Sequence, residues 1–137
     1  KIGKAKIVKE GNDVVFLSYG AKLSEVKKAS DMLEEKKISS TIVDARFCKP
    51  LDKNLILKLC NYHKALITIE EGSIGGFGSH VLNFLINNKL NIHKKLLIET
   101  IQLPDIFIDQ DTPEKMYLYA KMNSTNIAKR VLVRLGL

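Results

Sequence analysis

The sequence has no tryptophan, only two cysteines and only three prolines among its 137 residues. Two cysteines cannot build a disulfide-stapled scaffold, and no quartet of cysteine and histidine has the spacing of a zinc site. No apolar run approaches the roughly 18 residues of a membrane-spanning helix, so we expect no membrane partner. We interpret Cys48 and Cys60 as small buried side chains of a protein from a reducing compartment.

Positive charge is in excess, with 22 lysines and arginines against 15 aspartates and glutamates and a net charge of +7. Such an excess raises nucleic acid as a partner, but only Arg46, Arg130 and Arg134 are arginines and the lysines are scattered. No basic–aromatic ladder for stacking bases is present. We therefore expect a solvated basic surface and no nucleic-acid partner; recruitment of an acidic protein partner stays open as an alternative.

Hydrophobic patterning predicts one α/β domain over residues 1–137. Short apolar or alternating runs predict five strands, and segments with helical spacing of apolar residues separate most of them. The first strand is followed by a tight turn, so we expect it to pair antiparallel with its neighbour. The predicted fold is a three-layer α/β/α domain with a mixed, mostly parallel five-stranded sheet. The predicted strands are 5–9, 14–17, 40–43, 65–69 and 96–101.

Helices are predicted after the second, third, fourth and fifth strands. Pro50 stops an extended segment, and Asp52 is a good N-cap for the helix that follows. The tail has a loop containing Pro104 and Pro113 and then helical spacing through Leu135. The chain starts without methionine, signal peptide or transit segment, so we expect a fragment of a longer multidomain protein whose targeting information lies upstream.

The glycine-rich run from Glu70 to His80 is the strongest local feature, since it follows a strand and opens a helix. Backbone N–H groups at such a place can hold an anion. The dinucleotide fingerprint fails, however, because its third glycine falls at Val81, and no P-loop ending is present. Two interpretations stay open: an anion or interdomain site at Gly75, Gly76 and Gly78, or glycines that permit positive φ and close backbone approach.

The remaining polar residues form no recognisable catalytic set. Glu70 and Glu71 are adjacent on a strand end and point to opposite faces, so we expect one to cap the following loop and the other to be solvated. The three histidines have no metal spacing, and we expect them on the surface or partly buried; the one of interest, because it lies beside the glycines, is His80. The three serines considered lack the Gly-x-Ser-x-Gly elbow of a hydrolase. The histidines and serines considered are His63, His80, His93, Ser18, Ser73 and Ser79.

Two further pairs of residues are of interest: Cys48 with Lys49 in a loop, and Asp44 with Arg46 near the expected ligand edge of the sheet. Lys49 is positioned to lower the pKa of the Cys48 thiol, but nothing else supports a thiolate enzyme. Asp44 and Arg46, at a strand's carboxyl end, are expected to form an ion pair or to reach a partner.

Four segments together resemble a known family. They are Ser18-Tyr19-Gly20, the run from Val43 to Asp52 (VDARFCKPLD), the run from Glu70 to Val81 (EEGSIGGFGSHV), and the run from Leu103 to Asp109 (LPDIFID) followed by Pro113. In this order they resemble the C-terminal domain of 1-deoxy-D-xylulose-5-phosphate synthases, of plastid or bacterial type. The Asp-x-Arg…Pro-Leu-Asp element is shared with transketolases and with β-subunits of 2-oxo-acid dehydrogenases. Gln110-Asp111 and Lys121-Met122 depart from the usual residues.

This resemblance implies a thiamine-diphosphate-dependent transferase that condenses pyruvate with D-glyceraldehyde 3-phosphate and releases CO2, in isoprenoid and thiamine biosynthesis. It implies that thiamine diphosphate and Mg2+ are held by two other domains, that the enzyme is a homodimer, and that it resides in a plastid-type organelle or a bacterial cytoplasm. We therefore predict no catalytic, cofactor-binding or metal-binding residue in this chain. Alternatives are the corresponding domain of a transketolase or 2-oxo-acid dehydrogenase, or a free-standing anion- or nucleotide-binding module. The candidate contacts to another domain or an anion are Arg46, Glu71, Gly75, Gly76, Gly78, Ser79 and His80.

Overall fold

The computed structural model describes residues 1–20, 23–88 and 95–137. Five strands and five helices follow one another in these parts of the chain. The strands are β1 (Lys6–Lys9), β2 (Val14–Tyr19), β3 (Ser40–Asp44), β4 (Ala65–Glu70) and β5 (Leu97–Ile101). The helices are α1 (Leu23–Glu35), α2 (Lys53–Tyr62), α3 (Phe77–Asn87), α4 (Pro113–Tyr119) and α5 (Ser124–Arg134).

The strands form one sheet in the order β1-β3-β2-β4-β5. The pairs β2–β3, β2–β4 and β4–β5 are parallel, and β1 is antiparallel. This confirms the predicted mixed, mostly parallel sheet. The partner of β1 is β3 and not the strand that follows the tight turn, because the chain passes across β3 to place β2 in the centre of the sheet.

Both faces of the sheet are buried, which explains the continuous apolar runs in the central strands. One face packs Phe16 and Ile67 against α1 and α5 through residues such as Leu33 and Ile127. The other face packs Leu17 and Leu66 against α2 and α3, and Cys60 is wholly buried there. The domain therefore has three layers, as predicted.

The helix starts show why these segments fold locally. Asp52 caps α2 by accepting a hydrogen bond from the backbone N–H of Leu55 at 3.4 Å, as predicted. The same carboxylate accepts the N–H of Ala5 at 3.1 Å, so it also ties the N-terminal segment to this face. None of the helices in the described parts of the chain is both long enough and apolar enough to span a bilayer.

The short helix α4 is absent from the sequence-based prediction, which assigned Pro113 to a loop. In the structure Pro113 is the first residue of the helix, where its missing N–H costs nothing. Thr112 is the N-cap, and its side chain accepts a hydrogen bond from the N–H of Lys115 at 3.4 Å. Threonine followed by proline was the signal for this helix.

Candidate functional site

The turn between β4 and α3 is built around the buried carboxylate of Glu70, the last residue of β4, which is only 4% exposed. Its Oε1 accepts the N–H of Phe77 at 2.9 Å, and its Oε2 accepts the N–H of Gly78 at 2.5 Å. These are the first N–H groups of α3, where the helix dipole favours a negative charge. The protein's own carboxylate therefore occupies the position that an external anion would take.

The glycines of this turn make room for that carboxylate. A Cβ on Gly72 would lie 2.6 Å from Glu70 Oε1, and a Cβ on Gly76 would meet the same oxygen. Gly75 has a φ of +101°, a backbone conformation that residues with a Cβ rarely adopt. The interpretation of the glycines as a conformational requirement is confirmed.

The N–H groups of these glycines have partners within the chain, which argues against an anion site, whereas a contact with another domain stays a prediction. Gly78 donates to Glu70, Gly75 donates to Ser79 Oγ at 2.8 Å, and Gly76 donates to the carbonyl of Ser73 at 3.1 Å. The N–H of His80 donates within the helix to the carbonyl of Gly76. Binding an anion here would require breaking several of these bonds.

Glu71 lies on the exposed side of the same turn, so the adjacent glutamates do point to opposite environments as predicted. Its Oε1 accepts a hydrogen bond from the hydroxyl of Tyr117 in α4. This bond, together with partial burial, raises the pKa of Tyr117 from 10.0 to about 12, because it stabilises the protonated phenol. The bond joins residues 46 positions apart, a contact that sequence patterns do not reveal.

A second bond ties the segment after β5 to the same turn. The N–H of Leu103 donates to the carbonyl of Gly72 at 2.9 Å. The loop of residues 102–112 is thus held against the β4–α3 turn near its start and, through Tyr117, just beyond its end.

Arg46 lies beyond the carboxyl end of β3 with a φ of 60°, which is unusual for a residue with a Cβ. Its backbone N–H, rather than its guanidinium, bonds to Asp44 Oδ1 at 3.1 Å. The exposed guanidinium stands 5.9 Å from the centre of the Phe47 ring. The structure thus replaces the predicted ion pair by a local turn and leaves the Arg46 side chain facing solvent.

The histidines behave differently from one another. His63 is buried, contrary to the expectation of a surface or partly buried residue, because it joins separate elements. Its Nδ1 lies 2.9 Å from the carbonyl of Leu59 and its Nε2 lies 2.8 Å from Thr41 Oγ1. His80 is half-buried in a shallow groove between α3 and the start of α2, and His93 lies outside the described residues.

Cys48 lines the same groove as His80 and is half-buried there, so the interpretation of both cysteines as buried is confirmed for Cys60 only. Burial raises the pKa of the Cys48 thiol, and this effect outweighs the opposing charge of Lys49. The sequence indicated that Lys49 lowers the pKa of Cys48, but in the structure this pKa is raised. A raised pKa does not favour a nucleophilic thiolate.

Exposed apolar side chains lie in the loop between β5 and α4 and on α4 itself, and the sequence-based analysis missed them. We call Ile106, Phe107, Leu118 and Tyr119 the β5–α4 patch; all four are more than half exposed. The sequence signal was the run Ile106-Phe107-Ile108 in a proline-flanked segment that belongs to no predicted strand or helix. Among the described residues, no group of three or more histidine, cysteine, aspartate or glutamate side chains is arranged to hold a metal ion.

The fold defined by these features is an α/β domain with a parallel core, one antiparallel edge strand and a carboxylate-capped glycine turn. Residues 3–127 match the transketolase C-terminal domain family, and the chain belongs to that family.

Solved structures agree with this assignment. The chain is similar to an inactive beta4 tetramer of a split-gene transketolase, with 26% identity and a TM-score of 0.87 over 100% of this chain and 44% of that one. Two transketolase mutant structures from Pichia stipitis, one of them with xylulose 5-phosphate, share the fold at 12% and 11% identity. Their TM-scores are 0.70 and 0.65, over 98% of this chain and 18% of each of those chains. The chain thus spans less than half the length of these relatives.

Proposed function

We propose that this chain is the C-terminal domain of a 1-deoxy-D-xylulose-5-phosphate synthase and that it serves there as a structural domain. The observation that carries the structural role is the Glu70 cap. The first N–H groups of α3, at the carboxyl edge of the sheet, are the groups best suited to bind a phosphate. They are bonded to a carboxylate of the chain itself.

The residues of this chain do not fit thiamine diphosphate. A diphosphate at the start of α3 would lie against the Glu70 carboxylate, and like charges in a buried position repel strongly. Among the described residues, no group of three or more histidine, cysteine, aspartate or glutamate side chains is arranged to hold its magnesium ion. We therefore assign no step of the reaction to this domain, and propose that other domains of the enzyme hold the cofactor and the substrates.

The choice of synthase over its relatives is supported by the sequence between Glu70 and Val81 and between Leu103 and Asp109. These two runs are narrower in distribution than the Asp-x-Arg…Pro-Leu-Asp element, which the wider superfamily shares. In the structure the two runs are adjacent, because the backbone N–H of Leu103 donates to the carbonyl of Gly72.

A transketolase is the second candidate, and the 26% identity to a split-gene transketolase favours it. The two candidates differ in the reaction of the full-length enzyme. The synthase consumes pyruvate and D-glyceraldehyde 3-phosphate and releases CO2, whereas a transketolase exchanges two-carbon units between sugar phosphates without releasing CO2.

The test is therefore to express the full-length reading frame and to measure CO2 and 1-deoxy-D-xylulose 5-phosphate with pyruvate as donor, beside ketol transfer with xylulose 5-phosphate as donor. We expect CO2 release with pyruvate only. Ketol transfer without CO2 release would reject the synthase and favour the transketolase.

A companion measurement tests the structural role. We expect isothermal titration of the 137-residue chain with thiamine diphosphate and Mg2+ to show no binding. Saturable binding would contradict the assignment of cofactor contacts to other domains. Residence in a plastid-type organelle or a bacterial cytoplasm, and a homodimeric full-length enzyme, belong to the same proposal.

A further inference from the structure

The β5–α4 patch places four large apolar side chains in solvent, two on the loop after β5 and two on α4. Phe107 is 86% exposed and Ile106 is 54% exposed, and Leu118 and Tyr119 on α4 are also more than half exposed. Contiguous exposed apolar surface of this kind marks a site of contact with another molecule or domain.

Two hollows adjoin the β5–α4 patch. A hollow of about 600 Å3 lies between the β4–α3 turn and the loop, and a hollow of about 390 Å3 lies beside α4. The two hollows share Ile108 and Met116 as a dividing ridge. Together with the exposed Phe107, these hollows suit a protein surface with its own apolar projections better than a flat one.

The loop that carries the patch is ordered by bonds within the domain. Tyr117 donates to Glu71, Leu103 donates to the carbonyl of Gly72, and Thr112 caps α4. A surface held in place before binding loses less conformational entropy when a partner docks.

Charge sets this surface apart from the rest of the protein. Residues 103–114 contain four carboxylates and neither lysine nor arginine, although the chain as a whole has a net charge of +7. The four are Asp105, Asp109, Asp111 and Glu114, and all are exposed. Lys115, which lines the hollow beside α4, lies 3.9 Å from Asp111 and offsets part of this negative charge. An apolar centre with an acidic rim is complementary to an apolar surface with a basic rim.

We propose that the β5–α4 patch is the surface on which another domain of the same enzyme docks, through an apolar face rimmed by lysine or arginine. The proposal rests on the proposed function, in that it takes the chain to be one domain of a larger enzyme. The chain covers only 44% of the split-gene transketolase chain, and the remainder of that relative is long enough for further domains, which supports this view.

A second copy of this chain suits the patch less well. A two-fold contact through the patch would bring the four carboxylates of each copy against those of the other. Like charges facing each other across an interface oppose association.

The test is hydrogen exchange in the full-length enzyme, without substrates, comparing the native protein with Phe107→Asp and Tyr62→Asp. Tyr62 is a matched control because it is also an aromatic residue with 71% exposure, but it lies at the end of α2, at the opposite edge of the sheet. In the native enzyme we expect the amides of residues 105–110 to exchange at least tenfold more slowly than in the Phe107→Asp variant. We expect no change in Tyr62→Asp.

Exchange in the core strands β2 and β4 reports whether Phe107→Asp remains folded, and we expect it to be unaltered because the side chain is exposed. The proposal also expects a segment of another domain, rich in lysine or arginine, to exchange faster in Phe107→Asp. Equal exchange of residues 105–110 in the native enzyme and in Phe107→Asp would overturn the proposal. So would protection that depends on enzyme concentration and maps to the same patch of a second subunit.

The outcome is independent of which reaction the enzyme catalyses, because no substrate is present. If the exchange experiment contradicts the docking proposal while the enzyme releases CO2 from pyruvate, the proposed function still stands. Protection of residues 105–110 in an enzyme that performs only ketol transfer rejects the synthase and retains the docking surface.

Discussion

Replacing Glu70 by glutamine should destabilise the domain markedly although the side chain keeps its shape. The native carboxylate is 4% exposed and accepts two hydrogen bonds from the start of α3. Glutamine presents one oxygen and one NH2 group, so one of the two backbone N–H groups then faces another donor. The charge that complements the helix dipole is lost as well.

The magnitude follows from these two bonds. A hydrogen bond to a charged group contributes about 1.5–3 kcal/mol, and a buried donor left without an acceptor costs about 1–3 kcal/mol. Losing one bond and weakening the other predicts a loss of about 2–4 kcal/mol in the free energy of unfolding for Glu70→Gln. Glu70→Ala removes both bonds and leaves a cavity, so we expect about 3–5 kcal/mol.

Urea denaturation followed by circular dichroism measures the difference. With a slope of about 2 kcal/mol per molar urea, the Glu70→Gln midpoint should fall by about 1–2 M. Glu10→Gln is the control, because it makes the same chemical change at an exposed glutamate and should stay within about 0.5 kcal/mol of the native protein. Equal midpoints for the two variants would refute the assignment of Glu70 as the helix cap.

Three further outcomes test the same structure. Gly76→Ala should lower the free energy of unfolding by about 2 kcal/mol in urea titrations. In a Glu70→Ala background the same substitution should cost at least about 1 kcal/mol less, because the carboxylate that the new Cβ meets is absent. Additive losses in the two backgrounds would contradict this contact. Tyr117 has a folded pKa of about 12, raised from 10.0, so it favours folding fully below pH 10 and this contribution is lost as the pH rises from about 10 to 12. Ultraviolet titration of the tyrosinates should show a late transition that Tyr117→Phe removes, and its persistence would refute the assignment. The half-buried Cys48, whose pKa is raised by burial, should react with iodoacetamide at pH 7.5 more slowly than a free thiol, and the buried Cys60 should react only after unfolding. Alkylation of Cys48 at or above the rate of glutathione would argue against the raised pKa.

Local signals in the sequence were sufficient for most elements of this fold. The apolar runs at Val14–Leu17 and at residues 65–69 mark central strands because both faces of those strands are covered. Asp52 was recognisable as a cap because capping acts over three residues. The burial of Glu70 and the exposure of Glu71 also follow from local geometry, since adjacent residues at a strand end point to opposite faces.

Contacts between distant parts of the chain were not accessible in the same way. Nothing in the sequence near β1 specifies β3 as its partner, because the pairing depends on the spatial order of all five strands in the sheet. His63 was expected near the surface, yet it is buried because Thr41 and Gly11 supply partners from elsewhere in the chain. The hydrogen bond between Glu71 and Tyr117 is of the same kind.

The buried carboxylate and the exposed patch are two consequences of one arrangement. In an α/β sheet, the carboxyl edge is normally the place where a ligand meets helix N-termini. Here Glu70 fills that position at α3, so the polar groups of the turn are satisfied inside the domain. The adjoining loop, fastened to the same turn through Gly72, presents apolar side chains instead. With the polar groups of this turn satisfied internally, the exposed apolar side chains of the adjoining loop are the groups left to make contacts at this edge, which agrees with the proposed role as a structural domain.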